Sequence, residues 1–327
     1  MSNFTLRSLH PNDLDRVAAL ESRITGSPRK VFLEKLLATA MAAPDSFITC
    51  AALDGDTVAG YGFARVQNGE FGVSSAVVVL EVLGVDPDLQ GQGVGTAVVA
   101  GIEERMQKKG INTLKTQLLW SDHAMVRFFS SSGFTLASSR IIERDTSPLA
   151  GEVAEVAPVK MDGRWQVHSG ESGNYYEKLS RDRVPVRSLK EDDLAAVIRI
   201  DRKLTGFDRS DYFSAKFREM LVESGIRVSL VAEDHGLVSG FVMARVDFGE
   251  FGRVDKAAVL DTIGVHPAYK GSGIGHALLS QLLLNLATLR VESLRTQVRW
   301  EHLDLQRFLH LRGFGTSQRL VLTKTIN

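Results

Sequence analysis

Adding 180 to a residue number in the first half of this 327-residue chain repeatedly lands on the same residue type in the second half. Arg7-Ser8-Leu9 recurs as Arg187-Ser188-Leu189, Thr25-Gly26 as Thr205-Gly206, and Ala64-Arg65-Val66 as Ala244-Arg245-Val246. Gly69-Glu70-Phe71-Gly72 recurs as Gly249-Glu250-Phe251-Gly252, Gly84-Val85 as Gly264-Val265, and Thr116-Gln117 as Thr296-Gln297. Trp120 matches Trp300, and Gly133-Phe134 matches Gly313-Phe314. Chance does not hold one offset without gaps over so many positions, so the chain is a doubled unit. Each copy, about 145 residues long, can bury a core of its own and is too long for a solenoid repeat. The predicted organisation is a first domain over residues 1–145, a connection over 146–183 and a second domain over 184–327. Pro148, Gly151, Pro158, Gly163, Gly170 and Gly173 punctuate the connection. Its Arg164-Trp165-Gln166-Val167 and Tyr175-Tyr176 supply surface that is expected to pack on the domains, since flexible linkers are poor in aromatics.

Composition narrows the class of function. Hydrophobic residues make up 44% and charged residues 24%, as in ordinary globular proteins. Lys plus Arg number 39 and Asp plus Glu number 39, so no broad electrostatic footprint for nucleic acid or an anionic membrane is expected. One cysteine, Cys50, excludes an intrachain disulfide framework and a thiolate metal cluster, and fits a reducing, cytoplasmic setting. The N-terminal residues lack the basic-then-apolar pattern of a signal peptide, and no run of 18 apolar residues predicts a membrane span.

Periodicity within one copy reads as β-α-α-β-β-β-α-β-α-β. Phe4–Ser8 alternates as a strand, Asn12 is placed to cap a helix carrying Leu14, Val17 and Leu20, and a second helix follows near 31–42. Three β-type runs, 47–53, 57–66 and 76–85, come next, the first two joined by the turn dipeptide Asp54-Gly55. After the loop 86–93 a helix runs to about Lys108, with Val94, Val98, Ile102 and Met106 on one face and Lys109-Gly110 closing it. A strand over 113–119, a short helix over 123–131 and a last strand near 136–143 complete the copy. The predicted class is α/β or α+β, with a mixed sheet and helices on both faces of it.

The strongest chemical signal is glycine-rich and occurs twice. Gln90-Gly91-Gln92-Gly93-Val94-Gly95 and Lys270-Gly271-Ser272-Gly273-Ile274-Gly275 each follow a strand and open a helix. Glycine lets the backbone approach a ligand, and the first helical turn offers free N–H groups at the positive end of the dipole, a site for phosphate. A dinucleotide fingerprint needs a third glycine where Thr96 and His276 stand, and a mononucleotide loop needs Gly-Lys-Ser/Thr. Both nucleotide readings fail.

The glycine pattern after a strand ending in Val85-Asp86-Pro87, with Gly133-Phe134 and Gly313-Phe314 behind the next helix, resembles the acetyl-CoA loop of the GNAT superfamily of N-acetyltransferases. The resemblance covers both copies and implies two GNAT-like domains, each a mixed, mostly antiparallel central sheet flanked by helices. It implies acetyl-CoA as cosubstrate; no pair of residues at metal-ligand spacing stands out, so no metal is expected. Carried over residue by residue, it places pantetheine along Leu83, Gly84 and Val85 and along Ile263, Gly264 and Val265. It places pyrophosphate on Gln90, Gly91, Gln92, Gly93, Val94 and Gly95 and on Lys270, Gly271, Ser272, Gly273, Ile274 and Gly275. Lys270 departs from the family's Gln or Arg, a change that main-chain binding tolerates. Gly84 and Gly264 either mark the bulge by which the family splays two strands or are small for packing.

Acetyl transfer to an amine needs a base for the ammonium proton, a donor for the oxyanion and a fate for the thiolate. Glu81 and Asp261, four residues before Val85 and Val265 in apolar strands, are the predicted bases; a solvent-facing side of the strand is the alternative. Glu70 and Glu250 are weaker candidates, and Gln117 and Gln297 stand where some family members carry a base. Phe129 and Leu309 occupy the family's usual general-acid tyrosine position, so the acid is missing in both copies. His123 and His302 are expected at the surface or as caps. With no cysteine near the loop, the resemblance implies direct transfer through a ternary complex to a primary amine, on a small molecule or a peptide or protein amino group. The rival expectation is a regulatory or scaffold protein that binds acyl-CoA, with one or both copies non-catalytic. Doubling imitates a dimer within one chain, and a homodimer of the whole chain stays open.

Overall fold

A computed structural model describes residues 4–68, 76–147, 184–218, 220–221, 226–247 and 257–326. The first half contains β1 (Thr5–Arg7), α1 (Leu14–Thr25), α2 (Lys30–Ala42), β2 (Phe47–Asp54), β3 (Thr57–Asn68), β4 (Ala76–Val85), α3 (Val94–Lys108), β5 (Thr113–Leu119), α4 (His123–Ser131), β6 (Thr135–Leu136) and β7 (Ser139–Asp145). The second contains β8 (Val186–Ser188), α5 (Leu194–Thr205), α6 (Ser210–Arg218), β9 (Leu230–Asp234), β10 (Leu237–Asp247), β11 (Ala257–Val265), α7 (Ile274–Thr288), β12 (Ser293–Arg299), α8 (Leu303–His310), β13 (Gly315–Thr316) and β14 (Arg319–Thr325). Two mixed, mostly antiparallel sheets flanked by helices result, the predicted class. Residues 148–183 of the proposed connection, with Arg164–Val167 and Tyr175-Tyr176, and the turns holding Glu70 and Glu250 lie outside the described residues.

Local chemistry sets the element ends. Asn12 does not cap α1; a 3-10 turn, Pro11–Asp13, intervenes and moves the start to Leu14. The Asp13 carboxylate turns back to accept the His10 N–H at 2.8 Å and pairs with Arg7 at 2.6 Å, and Asp193 with Arg187 repeats this in the second half. α1 and α5 end on Gly26 (φ +71°) and Gly206 (φ +78°), left-handed positions that suit glycine.

Among the described residues each sheet has seven strands, ordered β1-β2-β3-β4-β5-β14-β6 and β13-β7-β12-β11-β10-β9-β8. Every pairing among the described residues is antiparallel except β4 with β5 and β11 with β12, where the helices α3 and α7 make the crossover that parallel neighbours require. The order carries an exchange. β14, from the end of the chain, lies beside β5 over all seven residues, Arg319–Thr325 against Thr113–Leu119. β7 correspondingly lies beside β12, Ser139–Asp145 against Ser293–Arg299. The single last strand expected near 136–143 is therefore two. β6 stays in the first sheet, and after Ala137-Ser138 the chain crosses to the second. The sheets and the consecutive segments 1–145 and 184–327 thus differ by one exchanged strand each.

The cores follow the sheets. Leu322 packs with Leu80, Leu114, Val98 and Phe129 of the first half, and Ile142 packs with Leu260, Leu278, Leu294 and Leu309 of the second. On the opposite face of the first sheet, α1 and α2 cover Tyr61, Phe63 and Val82. Equivalent residues meet where the halves join. The Trp120 N–H donates to the Gln318 carbonyl at 3.0 Å and the Trp300 N–H to the Ser138 carbonyl at 3.1 Å. The Gln117 Nε2 donates to its own counterpart, Gln297 Oε1, at 3.3 Å.

Candidate functional site

Two strands part in each half, and the candidate site lies at the parting. β4 pairs with β5 only through Val78–Leu80 against Leu114–Thr116, although both strands run on. β11 and β12 pair only through Ala257–Val259 against Ser293–Arg295. Where the first ladder ends, the buried Thr116 hydroxyl donates to the Leu80 carbonyl at 3.1 Å; Thr296 does the same for Leu260 at 2.9 Å. Beyond that bond β5 follows β14 and β12 follows β7, so the edge of β4 from Glu81 to Val85 has no strand beside it among the described residues.

A bulge lies where the strands part. The β3–β4 register slips between Phe63 and Ala64, leaving Glu81 unpaired, and the β10–β11 register slips between Met243 and Ala244, leaving Asp261 unpaired. Leu80 therefore packs under α3 while Val82, two residues on, packs under α1 and α2, which regular alternation forbids. The bulge expectation attached to Gly84 and Gly264 is corrected: both stay in register, opposite Tyr61 and Phe241. They are small for packing. A Cβ on Gly84 would overlap the Tyr61 ring, and one on Gly264 would lie 2.7 Å from the Phe241 ring.

The glycine loops are open. Gly91 (φ +78°) and Gly93 (φ +90°), and likewise Gly271 (φ +88°) and Gly273 (φ +87°), hold left-handed backbone with nothing within 4 Å of where a Cβ would stand. Gly93 and Gly273 are the N-cap residues of α3 and α7, and no side chain caps either helix. The first-turn N–H groups thus face outward at the positive end of the dipole, an arrangement that fits a diphosphate. The third glycine serves packing: a Cβ on Gly95 would meet the Phe128 ring at 3.2 Å, and one on Gly275 the Phe308 ring at 3.4 Å. Ahead of the first loop, Asp86 accepts the Asp88 N–H at 3.1 Å and pairs with Arg16 (2.6 Å) and Arg23 (2.9 Å) of α1. Burial works to raise the Asp86 pKa, but the Asp88 amide, Arg23 and Arg16 outweigh it and hold the carboxyl below its usual range. His266 replaces Asp86 in the second half; its Nδ1 accepts from the Ala268 N–H at 3.2 Å and its Nε2 lies 2.9 Å from Lys203.

The two candidate bases sit differently. Glu81 is 14% exposed and bonded by Arg65 Nε at 3.0 Å. Asp261 is 1% exposed, with Arg245 on Oδ1 and Lys216 Nζ 3.4 Å from Oδ2. Arg65 and Arg245 are repeat equivalents, whereas Lys216 stands where the first half has Leu36. Sequence reasoning missed Lys216. Its signal was a cation on the apolar side of a short helix, among the buried Tyr212, Phe213 and Phe217. It also missed the buried Glu21, which Arg29 (2.6 Å) and the Tyr61 hydroxyl hold under Gly84. Burial first, and then Glu21, push the Tyr61 pKa far above the ordinary phenol value.

Other candidates resolve plainly. Gln117 and Gln297 bond each other, and Gln297 also donates to Ser139 at 2.8 Å, so the pair belongs to the junction of the halves. Phe129 and Leu309 are fully buried, Phe129 edge-on to Phe134 at 5.0 Å, and neither offers a hydroxyl. His123 begins α4 with its ring edge-on to Trp120, and His302 is the N-cap of α8 with no side-chain capping bond. Cys50 is buried in β2, where desolvation pushes its thiol pKa up, the opposite of what a nucleophile needs. Among the described residues no cluster of His, Cys, Asp and Glu could hold a metal ion, and no helix is long and apolar enough to cross a membrane.

The profile of the acetyltransferase (GNAT) family matches residues 14–134 and again 194–314. A curated relative, the [ribosomal protein bS18]-alanine N-acetyltransferase of Escherichia coli K12, is 32% identical over 84 residues, 24% of this chain. The chain spans only 57% of that relative. Among solved structures, a GCN5-related N-acetyltransferase from Sphaerobacter thermophilus aligns over 99% of this chain and 96% of its own, with 16% identity and a TM-score of 0.59. A tandem GNAT protein from the clavulanic acid biosynthesis pathway aligns over 99% and 98%, with 15% identity and a TM-score of 0.62. At such identities the structures speak for the fold, and they share it along the whole doubled chain.

Proposed function

The chain belongs to the acetyltransferase (GNAT) family, and from that premise we propose that it transfers the acetyl group of acetyl-CoA to a primary amine by direct attack in a ternary complex. The observation that carries the proposal is the parting of β4 from β5 beside an uncapped helix start. A diphosphate on the outward N–H groups at Gln90–Gly95 leaves the pantetheine arm to run along the open edge, Leu83–Val85, toward Glu81. The second half offers the same cradle at Lys270–Gly275 and the same edge at Ile263–Val265.

An amine of pKa near 10 is almost wholly protonated at pH 7, so a base must first take a proton. Glu81 is placed to do so. Its bulge lies where the strands part, Arg65 donates to it, and it retains some exposure. The freed amine attacks the thioester carbon, the N–C bond forms, and main-chain N–H groups on the open edge of β4 are available to the oxyanion. The C–S bond then breaks and sulfur leaves as a thiolate. A thiol of pKa about 8.5 leaves without a dedicated acid, so solvent supplies the proton that Phe129 and Leu309 cannot. The curated relative's name puts a protein α-amine among the acceptors to try, alongside small-molecule amines.

The test is thiol release from acetyl-CoA across a panel of amines and amino-terminal peptides, with Glu81→Gln beside the wild type. General-base removal lowers kcat by about 10² to 10⁴ and leaves acetyl-CoA affinity within about twofold. Failure of the wild type to bind acetyl-CoA, or to acetylate any amine in the panel, refutes the proposal.

A further inference from the structure

The two halves share their cofactor-side geometry and differ at the carboxylate. Both have the parting strands, the threonine that ends the ladder, the bulge and an uncapped glycine loop. At the bulge, however, Glu81 meets one cation with part of its surface open, whereas Asp261 is closed off with one cation on each oxygen. We propose that only the N-terminal half transfers acetyl groups, and that the C-terminal half is an acetyl-CoA site whose acid is locked by Arg245 and Lys216. The inference rests on the acetyltransferase reading above.

The lock has a physical basis. A general base must come within hydrogen-bond reach of the ammonium, about 2.6–3.2 Å. Both oxygens of Asp261 are already engaged, and the side chain is one methylene shorter than Glu81, which draws it toward the strand. Asp261 is 1% exposed and Lys216 beside it 11%, so an incoming ammonium would have to displace one of two largely buried cations to reach either oxygen. Leu36 at the matching place in the first half brings no such cation. None of this touches the loop Lys270–Gly275 or the open edge Ile263–Val265, so cofactor binding survives in the half that has lost the chemistry.

The full chain tests this by counting bound acetyl-CoA in a calorimetric titration and by measuring turnover on the best amine of the panel. Wild type is expected to bind two acetyl-CoA molecules per chain. Gly93→Val puts a β-branched residue at φ +90° inside the first cradle. It is expected to bind one acetyl-CoA and to turn over at less than a hundredth of the wild-type rate. Retention of about half the rate shows two working halves, and retention of the whole rate places the chemistry in the C-terminal half. One acetyl-CoA per wild-type chain shows that the second cradle does not serve. Each of these overturns the inference. Should Gly93→Val lose both acetyl-CoA molecules, Glu81→Gln decides: two bound with less than a hundredth of the rate upholds the inference, and half or more of the rate overturns it. Adding Lys216→Leu to Glu81→Gln is expected to raise the residual rate at least tenfold by loosening Asp261; no rise removes Lys216 from the lock. A wild type that binds acetyl-CoA but acetylates nothing refutes the acetyltransferase reading itself.

Discussion

The strand exchange predicts that a core mutation in either half weakens the other. Ile142 is 3% exposed inside the second half's core, and Leu322 is 6% exposed inside the first half's. Truncating a buried Ile or Leu to Ala costs about 2–5 kcal/mol; taking about 3, the opening equilibrium of the affected core rises roughly a hundredfold. Hydrogen exchange read by peptide reports such openings one core at a time. Ile142→Ala should speed exchange in β11, α7 and β12, and leave β4, α3 and β5 within about threefold of wild type. Leu322→Ala should do the reverse. Loss of protection in the half that encodes the mutated residue would refute the exchanged pairing. Equal loss in both would show that the halves open as one unit and would refute the local reading.

Gly84→Ala places a methyl group against the Tyr61 ring and should cost about 1–3 kcal/mol, read as a lower urea midpoint with unchanged m. An unshifted midpoint would show that the ring is not the reason for glycine there. Tyr61→Phe strips a hydroxyl from buried Glu21 and should cost about 1–3 kcal/mol by the same measurement. The acid limb of stability should also be visible. Arg7 holds the Asp13 pKa below its usual range, and Arg187, with the Lys190 backbone, outweighs burial to do the same for Asp193. These carboxylates bind protons more readily unfolded, so their contribution is full above the unfolded pKa of about 3.9 and is lost as pH falls through the folded values. Urea midpoints should be level from pH 7 to about 5 and drop below about 4, and Asp13→Asn should make that drop shallower.

Much was legible because it is local. The Asp54-Gly55 hairpin, the Lys109-Gly110 helix end and the two loops each follow from a few adjacent residues whose backbone preferences leave little choice, while the doubling follows from a single offset of 180. Glu81 and Asp261 stood out as acids in apolar strands, and both proved to be the unpaired residues of bulges. The placement of those bulges was not legible. Val78, Leu80 and Val82 read as one face, and only packing against helices on both sides of the sheet separates Val82 from the other two.

The sequence by itself determined that two like units exist, which a single offset along the chain reveals, and that each opens a helix at a glycine-built start, since backbone freedom is a property of neighbours in the chain. Only the tertiary structure decided which sheet Ser139–Asp145 and Arg319–Thr325 complete. The two strands are repeat equivalents and join β12 and β5 in the same register, so position in the repeat does not say which sheet each completes. Only the fold, likewise, set Lys216 and Arg245 on Asp261 and left Glu81 with Arg65, because the charge environment of a carboxylate comes from residues brought together across the sheet.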